Sequence, residues 1–229
     1  MSKWHYCVIV ALSFVGICHA APVFVETTAW DFDNLLGGQA VAVNAPLVSS
    51  YDSGDGYLTF DVTSQAFHVS YNDGSGDYLY LYQINNTGGV GSQSITRFTA
   101  NPYLGATVTD DIGYLNANIP GSFLMGDQIP LWADVDTDSG PTIGFNFPVG
   151  NPYYGIPDAF IQPGQSSSVL FVASTGQPTI LLGSIINGLV ATIPVYGPNG
   201  EVDIPEPSTI LLLSLGGLTL LRRGRKAAR

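Results

Sequence analysis

Between residues 21 and 204 the chain has no cysteine and no lysine, a single histidine (His68) and a single basic residue, Arg97. Each shortage removes a class of chemistry. Without thiols there is no disulfide, no thiolate nucleophile and no cysteine-ligated metal. Without lysine there is no Schiff base. One histidine cannot build a histidine metal cluster, and a Ser-His-Asp triad would depend on His68 in a chain that lacks a Gly-x-Ser-x-Gly elbow. The same window holds 17 acidic residues, so its net charge is 1 − 17 = −16. That charge disfavours nucleic acid and anionic lipid as partners. A two-carboxylate glycoside hydrolase survives on composition, because aspartate is plentiful, but nothing singles out a pair. The expectation is a protein that is not an enzyme.

What is present starts at the two ends. Lys3, the apolar stretch 8–17 and the small residues Cys18 and Ala20 read as a secretory signal, residues 1–20, cut between Ala20 and Ala21. Both cysteines, Cys7 and Cys18, fall inside it. The other end runs Pro205-Glu206-Pro207, an uncharged apolar segment 208–221, then Arg222, Arg223, Arg225 and Lys226. The prolines favour extended backbone before Ser208, where a helix can start. As a transmembrane helix, 208–221 would be about 21 Å long, short against a hydrocarbon core of about 30 Å. Snorkelling of the arginines and thinning of the bilayer close that gap, and the basic residues stay on the cytoplasmic side. The layout is therefore a signal helix (1–20), an exported domain (21–198), a linker (199–204) and a tail (205–229).

Pro205, Glu206 and Pro207, the Leu-rich run and the Arg-rich end, in that order, resemble the PEP-CTERM sorting tail of Gram-negative bacteria. The resemblance implies that a membrane-embedded exosortase recognises the Pro-Glu-Pro motif and processes the tail, so that the inner membrane holds the chain only transiently. It implies a destination in the cell envelope, at the cell surface or in the extracellular matrix. The same kind of tail closes some proteins described as ice-binding.

The middle of the chain alternates Gly, Asn, Asp and Ser clusters with short β-branched and aromatic runs, and no long segment repeats every 3.6 residues. The expected fold class is all-β: one antiparallel two-sheet sandwich, Ig-like or jelly-roll-like, flanked by the signal helix and the transmembrane helix. Expected strands are 23–27, 39–45, 57–62, 66–71, 78–84, 94–100, 128–133, 142–147, 168–174, 179–186 and 190–196. Residues 46–56 read as a turn region, and 101–126 as a long connection. In 57–62, Leu58, Phe60 and Val62 share one face. Residues 78–84 are apolar on both faces at their start and so belong in the centre of a sheet. The strand at 94–100 is expected to form a hairpin with them through a glycine-rich loop. The pieces around 51–60 and 71–80 look alike, as successive hairpins would. Residues 78–86 followed by 95–99 also resemble exported domains that carry this tail.

Asp134, Asp136 and Asp138 alternate in what reads as a loop, a pattern suited to Ca²⁺, although Ser139 and Phe145 replace the EF-hand glycine and glutamate. Asp52/Asp55 and Asp73/Asp77 lie in Gly-rich turns, where turn chemistry accounts for them as well. Asn85-Asn86-Thr87 is a sequon in a turn-like context. Trp30, Tyr57, Tyr78, Tyr80, Tyr82, Tyr103, Trp132, Tyr153 and Tyr154 serve a sandwich core or, if exposed, a sugar-binding face. The leading expectation is an exported structural or interaction protein. The alternative is a carbohydrate- or ice-binding module, with exopolysaccharide as the partner.

Overall fold

Period-two alternation of apolar residues builds two sheets whose inner faces supply one core. The computed structural model describes residues 23–26, 29–30, 40–70, 76–101, 112–115, 118–119, 122–136 and 142–199. They form β1 (Val23–Glu26), β2 (Ala29–Trp30), β3 (Ala40–Ala42), β4 (Leu47–Asp52), β5 (Thr59–Ser70), β6 (Gly76–Asn86) and β7 (Arg97–Asn101). There follow β8 (Ile112–Leu115), β9 (Trp132–Asp136), β10 (Thr142–Asn146), β11 (Val169–Ser174), β12 (Pro178–Ile186) and β13 (Val190–Pro198). One turn of 3₁₀-helix, Pro152–Tyr154, is capped by Asn151 and by Gly155 in the left-handed region. No helix among the described residues is long and apolar enough to cross a membrane. The expected signal helix and the 208–221 segment lie outside the described residues.

The first sheet has the order β1-β9-β10-β7-β12-β13, and the second β2-β8-β11-β6-β5-β3, with β4 also on β5. All pairs are antiparallel except β2 with β8. Phe60, Val62, Tyr82 and Leu170 of the second sheet meet Phe98, Phe145, Ile185 and Val195 of the first in the principal core. Leu58, Phe60 and Val62 are all buried, as their alternation predicts. The second sheet is apolar on its outer face too: Phe67, Leu79, Leu81 and Phe171 pack there with Ile119 and Phe123. β6 is accordingly central, between β5 and β11. The two look-alike pieces are the successive hairpins β4–β5 and β5–β6.

Four expectations are corrected. Residues 57–62 and 66–71 are not separate strands, because Thr59–Ser70 runs unbroken. Its polar middle is tied to neighbouring elements: Gln65 Nε2 donates to Asn44 O (2.8 Å), and Ser64 Oγ accepts from Tyr196 N (3.0 Å), which leaves Gln65 Oε1 as the one buried atom there without a partner. Residues 47–52, read as turn, are strand β4 on the lower half of β5's edge. β3 and β4 act as one edge strand interrupted at 43–46, where Pro46 has no amide to donate to a ladder and the Ala66 amide of β5 donates to the Asn44 side chain, Oδ1, rather than to a strand carbonyl. The stretch 94–100 does not pair with β6, since both edges of β6 are taken; it crosses to the first sheet, where Phe98 tilts against Tyr82 with centroids 5.2 Å apart. The connection 101–126 contains a strand, β8, between β2 and β11.

The register also fixes the two ends of the sandwich. Val23 lies beside Val135, and Pro198 beside Pro178, on the same end as Asn101 and Thr142. The chain thus enters and leaves the domain at one end. Five inter-strand spacings, about 24 Å, separate the two points. The β4–β5 turn and the β6–β7 connection lie at the opposite end.

Candidate functional site

At that opposite end two loops form a cleft. The first is the 53–58 turn. Asp52 Oδ1 accepts from Gly54 N (2.8 Å), and Asp55 Oδ1 accepts from Ser53 Oγ (2.5 Å) and Tyr57 N (2.9 Å). Gly54 and Gly56 have φ of 80° and 75°, a region that costs other residues strain. The hydroxyl of Ser53 and then the Tyr57 amide favour the ionised carboxylate, so the Asp55 pKa is held below its ordinary value of 3.8. The aspartates read as turn residues do build the turn. Those at Asp73 and Asp77 lie outside the residues whose side chains are described.

The second loop, 87–93, is organised by Asn86 at the end of β6. This side chain is 1% exposed. Its Nδ2 donates to Gln93 O (2.9 Å) and Ile161 O (3.0 Å), and its Oδ1 accepts from Gly88 N (3.2 Å). Two bonds then join the loops, Ser92 Oγ to Gly56 O (2.7 Å) and Gln93 N to Tyr57 O (2.8 Å). The result is an open cleft of about 460 Å³ lined by Asp55, Gly56, Tyr57, Gly89, Val90, Gly91 and Ser92. Tyr57 is 40% exposed, and Val90 stands fully in solvent. In sequence Asn85-Asn86-Thr87 reads as a sequon or a turn, and the clasp made by Asn86 is not evident there. The available signal was an asparagine between an apolar strand and a run of glycines.

The carboxylates expected to hold Ca²⁺ are placed differently. Asp134 and Asp136 lie in strand β9, not in a loop, and Asp138 is outside the described residues. Asp134 receives both guanidinium nitrogens of Arg97 at 2.6 Å, and Asn146 Nδ2 donates to it as well (2.5 Å). The cation that this carboxylate faces is therefore the only basic residue between 21 and 204. Arg97 on β7 reaches β9 by lying across Gly144 of β10, where any Cβ would collide with its guanidinium. Among the described residues no three His, Cys, Asp or Glu side chains gather as a metal site.

His68 packs edge-on against Tyr78, with centroids 5.2 Å apart. Among the aromatic candidates, Tyr80 and Tyr82 are core; burial raises the Tyr80 phenol, helped by neighbouring Tyr82 and Tyr78. The Tyr80 hydroxyl donates to Gly176 O and that of Tyr82 to Tyr196 O. Tyr78 and Trp132 are partly covered, while Tyr57 and Tyr153 are exposed on separate turns. Tyr103 and the side chains of Trp30 and Tyr154 lie outside the described residues. So do Ala20 and Ala21, the sorting residues Pro205, Glu206 and Pro207, and the basic stop Arg222, Arg223, Arg225 and Lys226.

Residues 203–226 match the family described as the PEP-CTERM protein-sorting motif. No curated protein and no solved structure matches the chain. The motif indicates exosortase-dependent sorting of an exported protein, with processing by that membrane enzyme and a cell-surface or extracellular destination.

Proposed function

We propose that this chain, sorted by a PEP-CTERM tail, is a non-enzymatic envelope or matrix protein whose acidic β-sandwich is delivered by cleavage of that tail. The motif match at 203–226 carries the proposal. Two features support it. The last strand among the described residues ends at Pro198, before the motif, and both described sheets are built from residues ahead of it. Residues 199–204 span at most about 20 Å when extended, enough to hold Pro205, Glu206 and Pro207 clear of the folded domain. The signal read in residues 1–20 would be removed at the same end of the sandwich, because β1 begins there.

Mass spectrometry of the protein recovered from its host tests this. The expected result is a mature N-terminus at Ala21 and a C-terminus that lacks residues 222–229, with unprocessed chain accumulating when Pro205 and Pro207 are replaced by alanine. Protein at its destination that still carries Arg222 to Arg229 overturns the proposal.

A further inference from the structure

We propose that the cleft between the 53–58 turn and the 87–93 loop binds an uncharged saccharide chain. This deepens the interaction-type reading above and rests on it.

The cleft is built before any ligand arrives. The Ser92–Gly56 and Gln93–Tyr57 bonds tie its two walls together, and buried Asn86 fixes the longer loop from beneath. A preformed site avoids the ordering cost that weakens loop-based recognition. Its volume of about 460 Å³ falls within the range of small-ligand sites.

The lining then selects the ligand. Tyr57 offers a partly exposed ring, a rigid amphipathic plane suited to the C–H face of a pyranose. Gly56, Gly89 and Gly91 expose backbone instead of side chains, so a ring can approach closely. Asp55 accepts hydrogen bonds and cannot donate while ionised, and a carboxylate has capacity beyond the two bonds on its Oδ1. The site therefore calls for a ligand that brings hydroxyl donors and a flat apolar face.

Charge removes the anionic polymers. No cation lines the cleft, and Arg97 is committed to Asp134 on the other sheet. The domain 21–198, with one arginine against 15 acidic residues (1 − 15 = −14), repels uronate, phosphate and sulfate chains. Orientation agrees with this use. The tail leaves from the opposite end, so the cleft opens away from the membrane while the chain is still held there.

Saturation-transfer NMR on the full-length chain in a zwitterionic detergent tests the proposal, with cellohexaose, maltohexaose and isomaltohexaose as probes and oligogalacturonate as the anionic comparison. The expected result is transfer to ring protons of at least one uncharged probe, with an affinity of about 1 mM, and none to oligogalacturonate. Tyr57→Ala should weaken binding about tenfold or more, Tyr57→Phe should retain it, and Tyr153→Ala, outside the cleft, should leave it unchanged. Circular dichroism verifies that each variant is folded. No transfer to any uncharged probe, equal transfer to oligogalacturonate, or equal loss in Tyr57→Ala and Tyr153→Ala overturns the assignment. Each of these readouts is independent of how the host processes the C-terminus, so failure here and failure of the sorting proposal can be told apart.

Discussion

Replacing Gly144 by alanine should destabilise the protein only while Arg97 is present. Gly144 lies opposite Asp134 on one side and Thr99 on the other, and the Arg97 side chain crosses it to reach Asp134. A Cβ there would stand 2.7 Å from Arg97 Cζ and 2.9 Å from Asp134 Oδ1. The guanidinium is the far end of a flexible side chain, but two bonds tether it, so it can withdraw only by giving up the ion pair. That caps the cost. Arg97 and Asp134 side chains are 28% and 9% exposed. The pair thus falls between an exposed bridge, at about 1 kcal/mol or less, and a buried one whose broken half costs about 3–5 kcal/mol. A loss of about 2 kcal/mol follows, which for a domain of this size lowers Tm by about 4–8 °C. With Arg97→Ala the guanidinium collision disappears, and the remaining 2.9 Å approach to Asp134 Oδ1 is relieved by rotation of a carboxylate that the ion pair no longer holds. Gly144 has no left-handed φ to protect, so alanine should then be neutral or stabilise by about 0.5 kcal/mol through the unfolded chain. The coupling between the two sites is therefore about 2–2.5 kcal/mol. Thermal melts by circular dichroism on wild type, both single variants and the double variant measure it. A Tm drop for Gly144→Ala of equal size in both backgrounds would refute the argument.

Two further outcomes test the cleft. Asn86→Ala removes three hydrogen bonds from a buried side chain and should cost about 2–4 kcal/mol, read as a Tm drop of about 5–15 °C together with loss of saccharide binding; an unchanged Tm would show that the clasp holds nothing. Asp55 has a depressed folded pKa, so its contribution to the turn is fully present above 3.8 and is lost as pH falls through the lower folded value. The carboxyl carbon shift of Asp55 should titrate below 3.8, and Ser53→Ala should move that midpoint up, since the Ser53 hydroxyl is the larger cause; a midpoint that ignores Ser53 would remove this account.

The sequence was most informative where one face of a strand is buried. Leu58, Phe60 and Val62, and the two-sided apolar start of β6, needed only local pattern, because period-two burial writes itself into the residues. It was least informative where partners distant in sequence decide. Nothing near Arg97 says that its strand belongs to the sheet opposite β6; the reasons are Asp134 and Asn146, and the occupation of both edges of β6. Polar residues within β5 likewise read as a break, and only Asn44 and Tyr196, at separations of 21 to 132 residues, make them tolerable in a strand. The cleft escaped for the same reason: Ser92 and Gly56 are 36 residues apart, and neither looks unusual alone.

The treatment of the last strand bears on edge-to-edge pairing between copies of the chain. Among the described residues β13 is an edge of its sheet, and an open edge is a template for pairing with another copy. Here Pro194 and Pro198 have no amide to offer on that strand. Ser49 donates to Pro194 O (2.6 Å), Tyr82 to Tyr196 O (2.7 Å), and the Tyr196 amide is taken by Ser64 (3.0 Å). Side chains of the second sheet thus occupy the outward groups of Pro194 and Tyr196, the half of the edge nearer the tail. That matters for the proposed sorting route, in which an unprocessed tail holds copies of the chain at one membrane and effective concentration amplifies even weak edge pairing. A strong like charge on every copy adds long-range repulsion, but salt screens it beyond about 10 Å. The side-chain closure acts at contact distance and does not depend on ionic strength, so the two devices cover different ranges of the same hazard.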